Sequence, residues 1–408
     1  MTKNILLISD HGDPLAELGG EQAGGQNNYV LQLSLALEKI GHTVDVVTHW
    51  SNPSSPQYES FSENCRVIRI SAGRKRYLSK NAMYELLPAF YEEMTSLLAI
   101  GSYDLIHTHY WLSGLLGERL QREYQVPFVH TSHSLAKAKE IGTGHLDNRR
   151  FAAERFITRS AQAVIATTQY EKDLIYSFEP QCAPIRVIPC GVSDVFRPMT
   201  HRHNTESAPT TFVYAGRLVE EKGIFTLLSA FSDFLDRHQD PQAAELIIAG
   251  GEKSDIDYAK QLPRDRKLKK YTQHIKDAVK FIGPQSPAAL AKLFNNATAT
   301  IVPSYYESFG MVAAESLASG TPVIASRTGG LQYVVEHGAT GLLAEPRNSQ
   351  HLASMMGLIH GSQRFTEALG ENGSRVADEL YRWDVIVEHI DELYAEVSQV
   401  GTNQLTYH

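Results

Sequence analysis

Short apolar runs alternate along the chain with longer segments in which apolar residues recur at helical spacing. Residues 4–9 form a continuous apolar run, which is typical of a strand covered on both faces. A long loop follows, then a helical pattern over residues 28–40 and a second apolar run over residues 43–48. This order predicts a βαβ unit with parallel strands and a right-handed connection.

The same alternation continues to about residue 190 and begins again after residue 211. Further strands are predicted over residues 67–70, 105–108, 128–131, 163–166, 187–188, 212–215, 245–249, 279–282, 298–302 and 322–325. In the second half, helices are predicted near residues 225–235, 258–277, 287–296 and 310–319. Each half therefore indicates a doubly wound α/β sheet.

A polar stretch without periodicity, residues 196–211, separates the two halves and is bounded by prolines. We predict an N-terminal domain over residues 1–197, a C-terminal domain over 209–382, and a helix over about 383–408 that packs back onto the first domain. The expected fold is α/β, with two Rossmann-like domains facing a cleft that the carboxyl ends of their strands surround.

Composition adds the class of protein. The 408 residues carry 42% hydrophobic and 21% charged side chains with a net charge of −8, which is typical of a soluble protein and opposes binding to nucleic acid or anionic membrane. Cys65, Cys182 and Cys190 match no zinc motif or disulfide framework. No apolar run reaches the length of a signal or spanning segment. We expect a cytoplasmic protein without nucleic-acid or membrane partners. The oligomeric state stays open, a monomer being one possibility.

The most informative stretch is residues 303–320, a strand–turn–helix segment with Glu307 in the turn and Glu315 in the helix. A carboxylate among apolar residues is costly to bury without a partner. Backbone N–H groups at the helix start are unpaired and lie at the positive end of the dipole. Those amides belong to Phe309, Gly310, Met311 and Val312. The segment therefore predicts a site for a phosphorylated ligand with several hydroxyls.

Two cations precede this segment in the second half. Arg217 lies at a predicted strand end, and Lys222 follows in the next turn. Together they could neutralise a diphosphate, the guanidinium by a bidentate contact and the ammonium as a point charge. The alternative is a solvated turn beside Glu220 and Glu221.

The first loop, residues 19–25, contains four glycines between a strand and a helix. Glycine there permits close approach of the backbone to a ligand. The G-x-G-x-x-G spacing of a dinucleotide-binding turn is absent, which argues against hydride transfer. A flexible surface loop remains the alternative.

Three motifs resemble those of retaining GT-B glycosyltransferases, and the resemblance covers nearly the whole chain. They are G-R-L-V-E-E-K-G, E-S-F-G-M-V-A-A-E and G-G-Q-N-N-Y-V. H-G-D-P-L-A-E-L-G-G-E-Q-A-G-G-Q-N and H-S-L-A-K-A-K are similar to the sucrose-phosphate synthases among them. Ala136 departs from that subfamily, which usually has glycine there, and Asn28 departs where a small apolar residue is common.

The resemblance implies a role for each matching residue. Arg217 and Lys222 would bind the donor diphosphate, Glu315 the ribose hydroxyls, and Glu307 with the helix-start amides the donor sugar and phosphate. The catalytic set would be His133, Arg217, Lys222 and Glu307. From the first domain, His133 would contact the donor sugar, and the reaction centre would be lined by Gly24, Gly25 and Gln26. The acceptor phosphate would be held by Lys80, Lys139 and Arg150, with Arg76 as a further candidate.

The implied reaction transfers glucose from UDP-glucose to fructose 6-phosphate with retention of configuration, giving sucrose 6-phosphate and UDP. It needs no metal and no cofactor beyond UDP-glucose as co-substrate. The leaving diphosphate would be stabilised electrostatically. The acceptor would attack on the face from which the diphosphate departs. We expect no phosphatase domain, so the product would leave phosphorylated.

Several alternatives stay open. The acceptor could be fructose, an inositol phosphate or a glycan, and the nucleotide could be UDP, ADP or GDP. A nucleotide-sugar epimerase and a nucleotide-sugar sensor without turnover are further readings. His107 and His109 lie on one strand face but lack a third metal ligand. Asp255 and Asp257 suit a helix cap, and residues 264–270 suit a solvated basic face.

Overall fold

The computed structural model describes residues 2–16, 25–199, 209–238, 244–251 and 277–404, with side chains up to residue 399. The chain divides into two compact units. Unit 1 comprises Met1–Gly191 and Trp383–His408, and unit 2 comprises Val192–Arg382. The division falls at Gly191, a little before the predicted linker.

In the described part of unit 1, eight strands form one sheet in the order β3-β4-β2-β1-β5-β6-β7-β8. All neighbours pair in parallel except β3, which runs antiparallel to β4 at the edge. The strands are β1 (Asn4–Ile8), β2 (Thr43–His49), β3 (Tyr58–Ser60), β4 (Cys65–Ile70), β5 (Leu105–His109), β6 (Phe128–Thr131), β7 (Ala163–Ala166) and β8 (Ile185–Val187). The central strands are buried along almost their whole length, as the apolar runs predict.

Helices connect these strands and cover the sheet. They are α1 (Gly25–Lys39), α2 (Lys80–Leu97), α3 (Trp111–Tyr124), α4 (Ala136–Thr143), α5 (Asn148–Ser160) and α6 (Gln169–Phe178). Side-chain oxygens of Ser79, Asp147 and Thr168 accept backbone N–H groups at the starts of α2, α5 and α6. Such caps satisfy amides that the helix itself leaves unpaired, which fixes where each helix begins.

Unit 2 contains a second sheet, in which the described strands are all parallel in the order β11-β10-β9-β12-β13-β14. The strands are β9 (Thr210–Ala215), β10 (Ala244–Ala249), β11 (Val279–Gly283), β12 (Ala299–Val302), β13 (Val323–Ser326) and β14 (Gly341–Ala344). The helices are α7 (Ile224–His238), α8 (Pro287–Asn296), α9 (Met311–Ala318), α10 (Leu331–Val334), α11 (Ser349–Gly361) and α12 (Gln363–Leu380). Phe212, Phe231 and Phe234 form the aromatic centre of its core.

The last helix, α13 (Trp383–Gln404), belongs to unit 1. At its start the Trp383 ring packs against Gly191, where an added Cβ would lie 2.4 Å from the indole, and against the ring of Tyr29 at 5.3 Å. Further along, the completely buried Tyr394 bonds through its hydroxyl to Nδ1 of His107 over 2.6 Å. The helix is thus joined to α1 and β5 by both packing and a buried hydrogen bond.

The α/β class and the parallel sheets confirm the fold prediction, but five elements had not been predicted. β3 is a three-residue edge strand with an exposed face, and β14 is a four-residue strand between turns, so neither shows a usable pattern. The helices α10, α11 and α12 were also not predicted. Apart from Asp277, the predicted helix 258–277 lies outside the described residues, as do Asp255, Asp257 and residues 264–270. Among the described helices, none combines the length and the apolar composition needed to cross a membrane.

The buried hydrogen bond of α13 generates a stability prediction. Tyr394→Phe removes the hydroxyl but leaves the buried His107 nitrogen without its partner, so we expect a loss of about 1–3 kcal/mol in the free energy of unfolding. Tyr176→Phe, in which the residue is 40% exposed, is the matched control and should change stability little. Urea unfolding followed by circular dichroism measures both. Equal midpoints for the two variants would contradict the assigned contribution.

Candidate functional site

In unit 2, the loops after β9, β12 and β13 meet at the carboxyl edge of the sheet, because these three strands are direct neighbours. Two glycines allow the loops to touch. A Cβ on Gly223, whose φ is +73°, would lie 2.0 Å from the carbonyl oxygen of Pro303, and one on Gly330 would lie 2.0 Å from that of Ser308. Any side chain at either position would clash, so glycine is required for this convergence.

This convergence brings Lys222 and Glu307 together. The Lys222 ammonium forms an ion pair with Oε1 of Glu307, and the same oxygen accepts a hydrogen bond of 2.9 Å from Ser304 Oγ. Both charged side chains are half-buried. The pair joins the turn before α7 to the turn before α9, and it leaves the ammonium in a defined position rather than free in solvent.

Arg217 differs from Lys222. Its backbone oxygen accepts a hydrogen bond of 2.7 Å from the Tyr214 hydroxyl, which holds the main chain just beyond β9. Its guanidinium is exposed and has no ion pair or hydrogen bond with any residue that the structure describes. Of the two predicted diphosphate cations, Lys222 is therefore already paired and Arg217 is available.

Glu315 lies on α9, between Ala314 and the completely buried Ser316. Part of its surface reaches solvent, yet surrounding protein is dense enough that burial raises the pKa of the carboxyl to about 8. Within the described ranges no side chain or amide bonds to this carboxyl, and burial is the cause of the shift. The carboxyl therefore lacks the partner that its position requires.

The start of α9 is also open. Gly310, the residue before the helix, has φ +103° and provides no side-chain cap. An added Cβ there would lie 2.5 Å from Leu331 Cδ2, so the position again favours glycine. The amides of Phe309, Met311 and Val312 have no acceptor among the residues described in this structure. These donors lie within about two turns of Glu315, in the first turn of the helix and at the residue that precedes Gly310.

In unit 1, His133 follows β6 with φ +56°, a left-handed conformation that costs about 1–3 kcal/mol for a residue other than glycine. Its Nε2 lies 2.9 Å from Nδ1 of His109, and its ring packs edge-on against Tyr29 at 4.9 Å. Burial, with smaller effects from His130 and His11, lowers the pKa of His133 to about 3. His133 is therefore neutral across the physiological pH range.

Two of the predicted acceptor-binding cations, Lys80 and Arg150, contact the side chain of Tyr110. Lys80 Nζ lies 3.0 Å from its hydroxyl and 4.3 Å from its ring centroid, and the Arg150 guanidinium lies 4.8 Å from the same centroid. Tyr110 itself is buried, with φ +77°. Sequence reasoning missed this residue. Its position directly after β5, at the carboxyl edge of a parallel sheet, was the available signal.

Arg150 is held more tightly than Lys80. Its Nε donates to Oε1 of Glu154 over 2.6 Å, and a terminal nitrogen donates to Oγ of Ser134 over 3.1 Å. Burial raises the pKa of Glu154, against the opposing effect of Arg150. The structure gives Lys139 and Arg76 exposed side chains without a described contact to the Tyr110 cluster. It thus brings together Lys80 and Arg150 of the four predicted residues.

The predicted reaction-centre loop is described only in part. Gly25 begins α1, whereas Gly24 lies outside the described residues. Gln26 Nε2 donates to Ser9 Oγ over 3.0 Å and to the His109 backbone oxygen over 3.4 Å. Gln26 is therefore anchored between the ends of β1 and β5. It lies on the same helix as Tyr29 and bonds to His109, and these two residues contact the ring of His133.

The possible metal ligands on β5 have other partners. His107 uses both ring nitrogens, one with Tyr394 and the other with Thr131 Oγ1 at 2.8 Å. His109 faces His133 as described. Over the described ranges, no group of three or more His, Cys, Asp or Glu side chains is placed to hold a metal ion.

Each half of the chain matches a family model of glycosyltransferases. The family model Glycosyltransferase Family 4 matches residues 23–195, and the model Glycosyl transferases group 1 matches residues 197–376. A D-inositol 3-phosphate glycosyltransferase of Corynebacterium jeikeium is 34% identical over 97% of this chain and 97% of that protein. Both halves thus match glycosyltransferase models, and a relative matches over nearly the full length.

Solved structures of glycosyltransferases share the fold of this chain. A sucrose-phosphate synthase from Thermosynechococcus elongatus superposes with a TM-score of 0.88 at 34% identity, covering 98% of this chain and all of that one. The Anabaena protein HepE in complex with UDP-glucose, at 19% identity and a TM-score of 0.71, shares the fold. Two parallel-sheet α/β units, the converging loops of unit 2 and full-length relatives at about one third identity lead to one assignment: the chain is an enzyme of the GT-B glycosyltransferase family.

Proposed function

We propose that this glycosyltransferase transfers glucose from UDP-glucose to fructose 6-phosphate with retention of configuration, giving sucrose 6-phosphate and UDP. The observation that carries the proposal is the pair of cations gathered on Tyr110, because Lys80 and Arg150 form a site suited to a phosphate ester. Similarity to a sucrose-phosphate synthase over 98% of the chain favours fructose 6-phosphate as that ester.

The donor binds to unit 2 in this proposal. Arg217 has a free guanidinium for the diphosphate, and Lys222 adds a second positive charge that Glu307 keeps in place. The amides at the start of α9 donate to phosphate or sugar oxygens. Glu315 accepts hydrogen bonds from the two ribose hydroxyls, which supply partners that its carboxyl does not have among the described residues. UDP is proposed as the nucleotide because of the resemblance to sucrose-phosphate synthases, and no contact with the base supports that choice.

The chemistry proposed is a same-face displacement. Negative charge grows on the diphosphate as the glycosidic bond breaks, and Arg217, Lys222 and the α9 amides stabilise that charge. The acceptor hydroxyl attacks carbon 1 of the glucose from the same face, and a departing phosphate oxygen takes its proton. His133 and Gln26 contact the sugar without adding charge, since His133 is neutral. No metal and no further cofactor is needed in this scheme.

An inositol phosphate is the second candidate acceptor. The Corynebacterium jeikeium relative that is 34% identical is a D-inositol 3-phosphate glycosyltransferase. Both acceptors are polyhydroxylated and carry a phosphate monoester, so the cations on Tyr110 suit either one. The choice between them rests on the ring and not on the phosphate.

The acceptor is tested by a matrix of UDP-, ADP- and GDP-glucose against fructose 6-phosphate, fructose, D-inositol 3-phosphate and glucose 6-phosphate. We expect the fastest release of nucleotide, and a phosphorylated disaccharide, from UDP-glucose with fructose 6-phosphate. Lys80→Met should remove most of the preference for fructose 6-phosphate over fructose, whereas Lys39→Met, an exposed lysine on α1, should keep it. Faster turnover with D-inositol 3-phosphate would replace the first candidate by the second. Release of UDP with no acceptor dependence would refute both.

The leaving-group role is tested at Arg217. Arg217→Ala should lower kcat by about 10²–10³-fold while changing the KM for the acceptor little, because the guanidinium acts on charge that develops in the transition state. Arg364→Ala removes another exposed arginine of unit 2 and serves as the control. Steady-state kinetics with both substrates varied separates the two constants. A wild-type kcat in Arg217→Ala would exclude the assigned role.

The ribose contact is tested by the pH dependence of UDP binding. The free carboxyl of Glu315 has a pKa of about 8, and hydrogen bonds from ribose hydroxyls favour its charged form and lower that pKa. Binding therefore releases a proton below pH 8, so affinity rises by up to about tenfold per pH unit as the pH increases towards 8. Calorimetry between pH 6 and 8, in the wild type and in Glu315→Gln, isolates this contribution. The same slope in both proteins would show that Glu315 does not meet the nucleotide.

A further inference from the structure

The close contact between His109 and His133 requires one proton and one lone pair. Nδ1 of His109 lies 2.9 Å from Nε2 of His133. Two N–H groups cannot face each other at that distance, nor can two lone pairs, so one ring donates and the other accepts. Two arrangements satisfy this condition. Either His109 donates from Nδ1 and His133 carries its proton on Nδ1, or His133 donates from Nε2 and His109 carries its proton on Nε2.

The other nitrogen of His109 distinguishes the two arrangements. His109 is completely buried, and its Nε2 has no hydrogen-bond partner among the described residues. In the second arrangement this atom would be a buried N–H without an acceptor, which proteins rarely tolerate. In the first arrangement it is an unshared lone pair, whose isolation is the more common exception. The proton of His109 therefore belongs on Nδ1.

We infer that His109 is a positioning residue that holds His133 in the tautomer with its proton on Nδ1, so that His133 presents an N–H to the donor sugar. The sugar contact rests on the proposed function, whereas the tautomer does not. In hydrogen-bonded imidazoles the contact made by one nitrogen sets the proton on the other. His109 has its lone pair and N–H arranged so that only one tautomer of His133 completes the pair.

The surroundings leave Nδ1 of His133 free for this purpose. Within the described part of the chain this nitrogen has no hydrogen-bond partner. It is not fully enclosed by protein, and the residue as a whole is partly exposed. Tyr29 packs edge-on against both imidazoles, at 4.9 Å from His133 and 5.8 Å from His109, which restricts the rotation of each ring. The left-handed backbone of His133 sets the direction of the ring. Geometry and hydrogen bonding thus select one nitrogen for the ligand.

Nitrogen NMR of the full chain with ¹⁵N-labelled histidine tests the tautomer directly. His133 should show a protonated Nδ1 and an unprotonated Nε2 in the free enzyme, with its resonances assigned by their loss in His133→Asn. UDP-glucose should shift the Nδ1 resonance, and UDP alone should shift it less. A proton on Nε2 would overturn the inference. A correct tautomer that UDP-glucose does not perturb would overturn the sugar contact while leaving the tautomer intact.

Variants of His109 separate positioning from packing. His109→Leu should release His133 into a mixture of tautomers and lower kcat by about tenfold or more, the loss typical when an orienting partner is removed. His109→Asn retains a donor near the Nδ1 position, so it should recover most of the single His133 tautomer and most of kcat. His130→Asn is the matched control, since His130 is equally buried but bonds to Thr108 instead, and it should leave the His133 tautomer unchanged. Wild-type spectra and turnover in His109→Leu would refute the role.

If the spectra show the His133 proton on Nδ1 but no acceptor yields product, the proposed function fails and the tautomer assignment stands. If the enzyme is active and the His133 proton lies on Nε2, the positioning role fails and the function stands. Because the wild-type spectrum decides the tautomer and only its assignment uses His133→Asn, the inference stays testable even where His109→Leu does not fold.

Discussion

Removal of ionisable side chains from water at the carboxyl edge of each parallel sheet is the constraint on which the candidate site residues of each unit depend. A charged group loses its hydration there and keeps its charge only if protein or ligand replaces it. Each buried group resolves this differently. Glu154 is met by Arg150, His133 loses its charge, and Glu315 has a pKa raised to about 8 with no described partner. In the proposed function, the ribose hydroxyls of the donor are the partners of this last carboxyl.

The cations of the two units fall into two groups according to whether a carboxylate is paired with them. Lys222 in unit 2 is paired with Glu307, and Arg150 in unit 1 is paired with Glu154, so both positions are set before any substrate arrives. Arg217 in unit 2 is exposed and unpaired within the described residues, so it can turn towards a ligand. Preorganised charge stabilises a transition state without reorganisation, whereas a free guanidinium adapts to the shape of the phosphate groups. In the proposed function, Lys222 and Arg217 supply one cation of each kind to the departing diphosphate.

The convergence in unit 2 depends on missing side chains as much as on present ones. Gly223 and Gly330 allow the turns after β9 and β13 to touch the β12 turn, where a Cβ would lie 2.0 Å from a carbonyl oxygen. The approach at Gly223 places the turn that carries Lys222 beside the turn that carries Glu307, where the two side chains form their ion pair. In unit 1, packing has the corresponding role, because Tyr29 and His109 together fix the ring of His133.

The sequence by itself determined the parallel α/β architecture, since short continuous apolar runs that alternate with helical patterns are typical of strands covered on both faces. It also determined Lys222, Glu307, Glu315 and Arg217 as candidates, because such charges next to strand ends and in an apolar helix require an explanation. Only the tertiary structure decided how they pair. Sequence reasoning missed Tyr110 and considered His109 only as a possible metal ligand. Their observed contacts join residues far apart in the chain, and local pattern carries no information about such contacts.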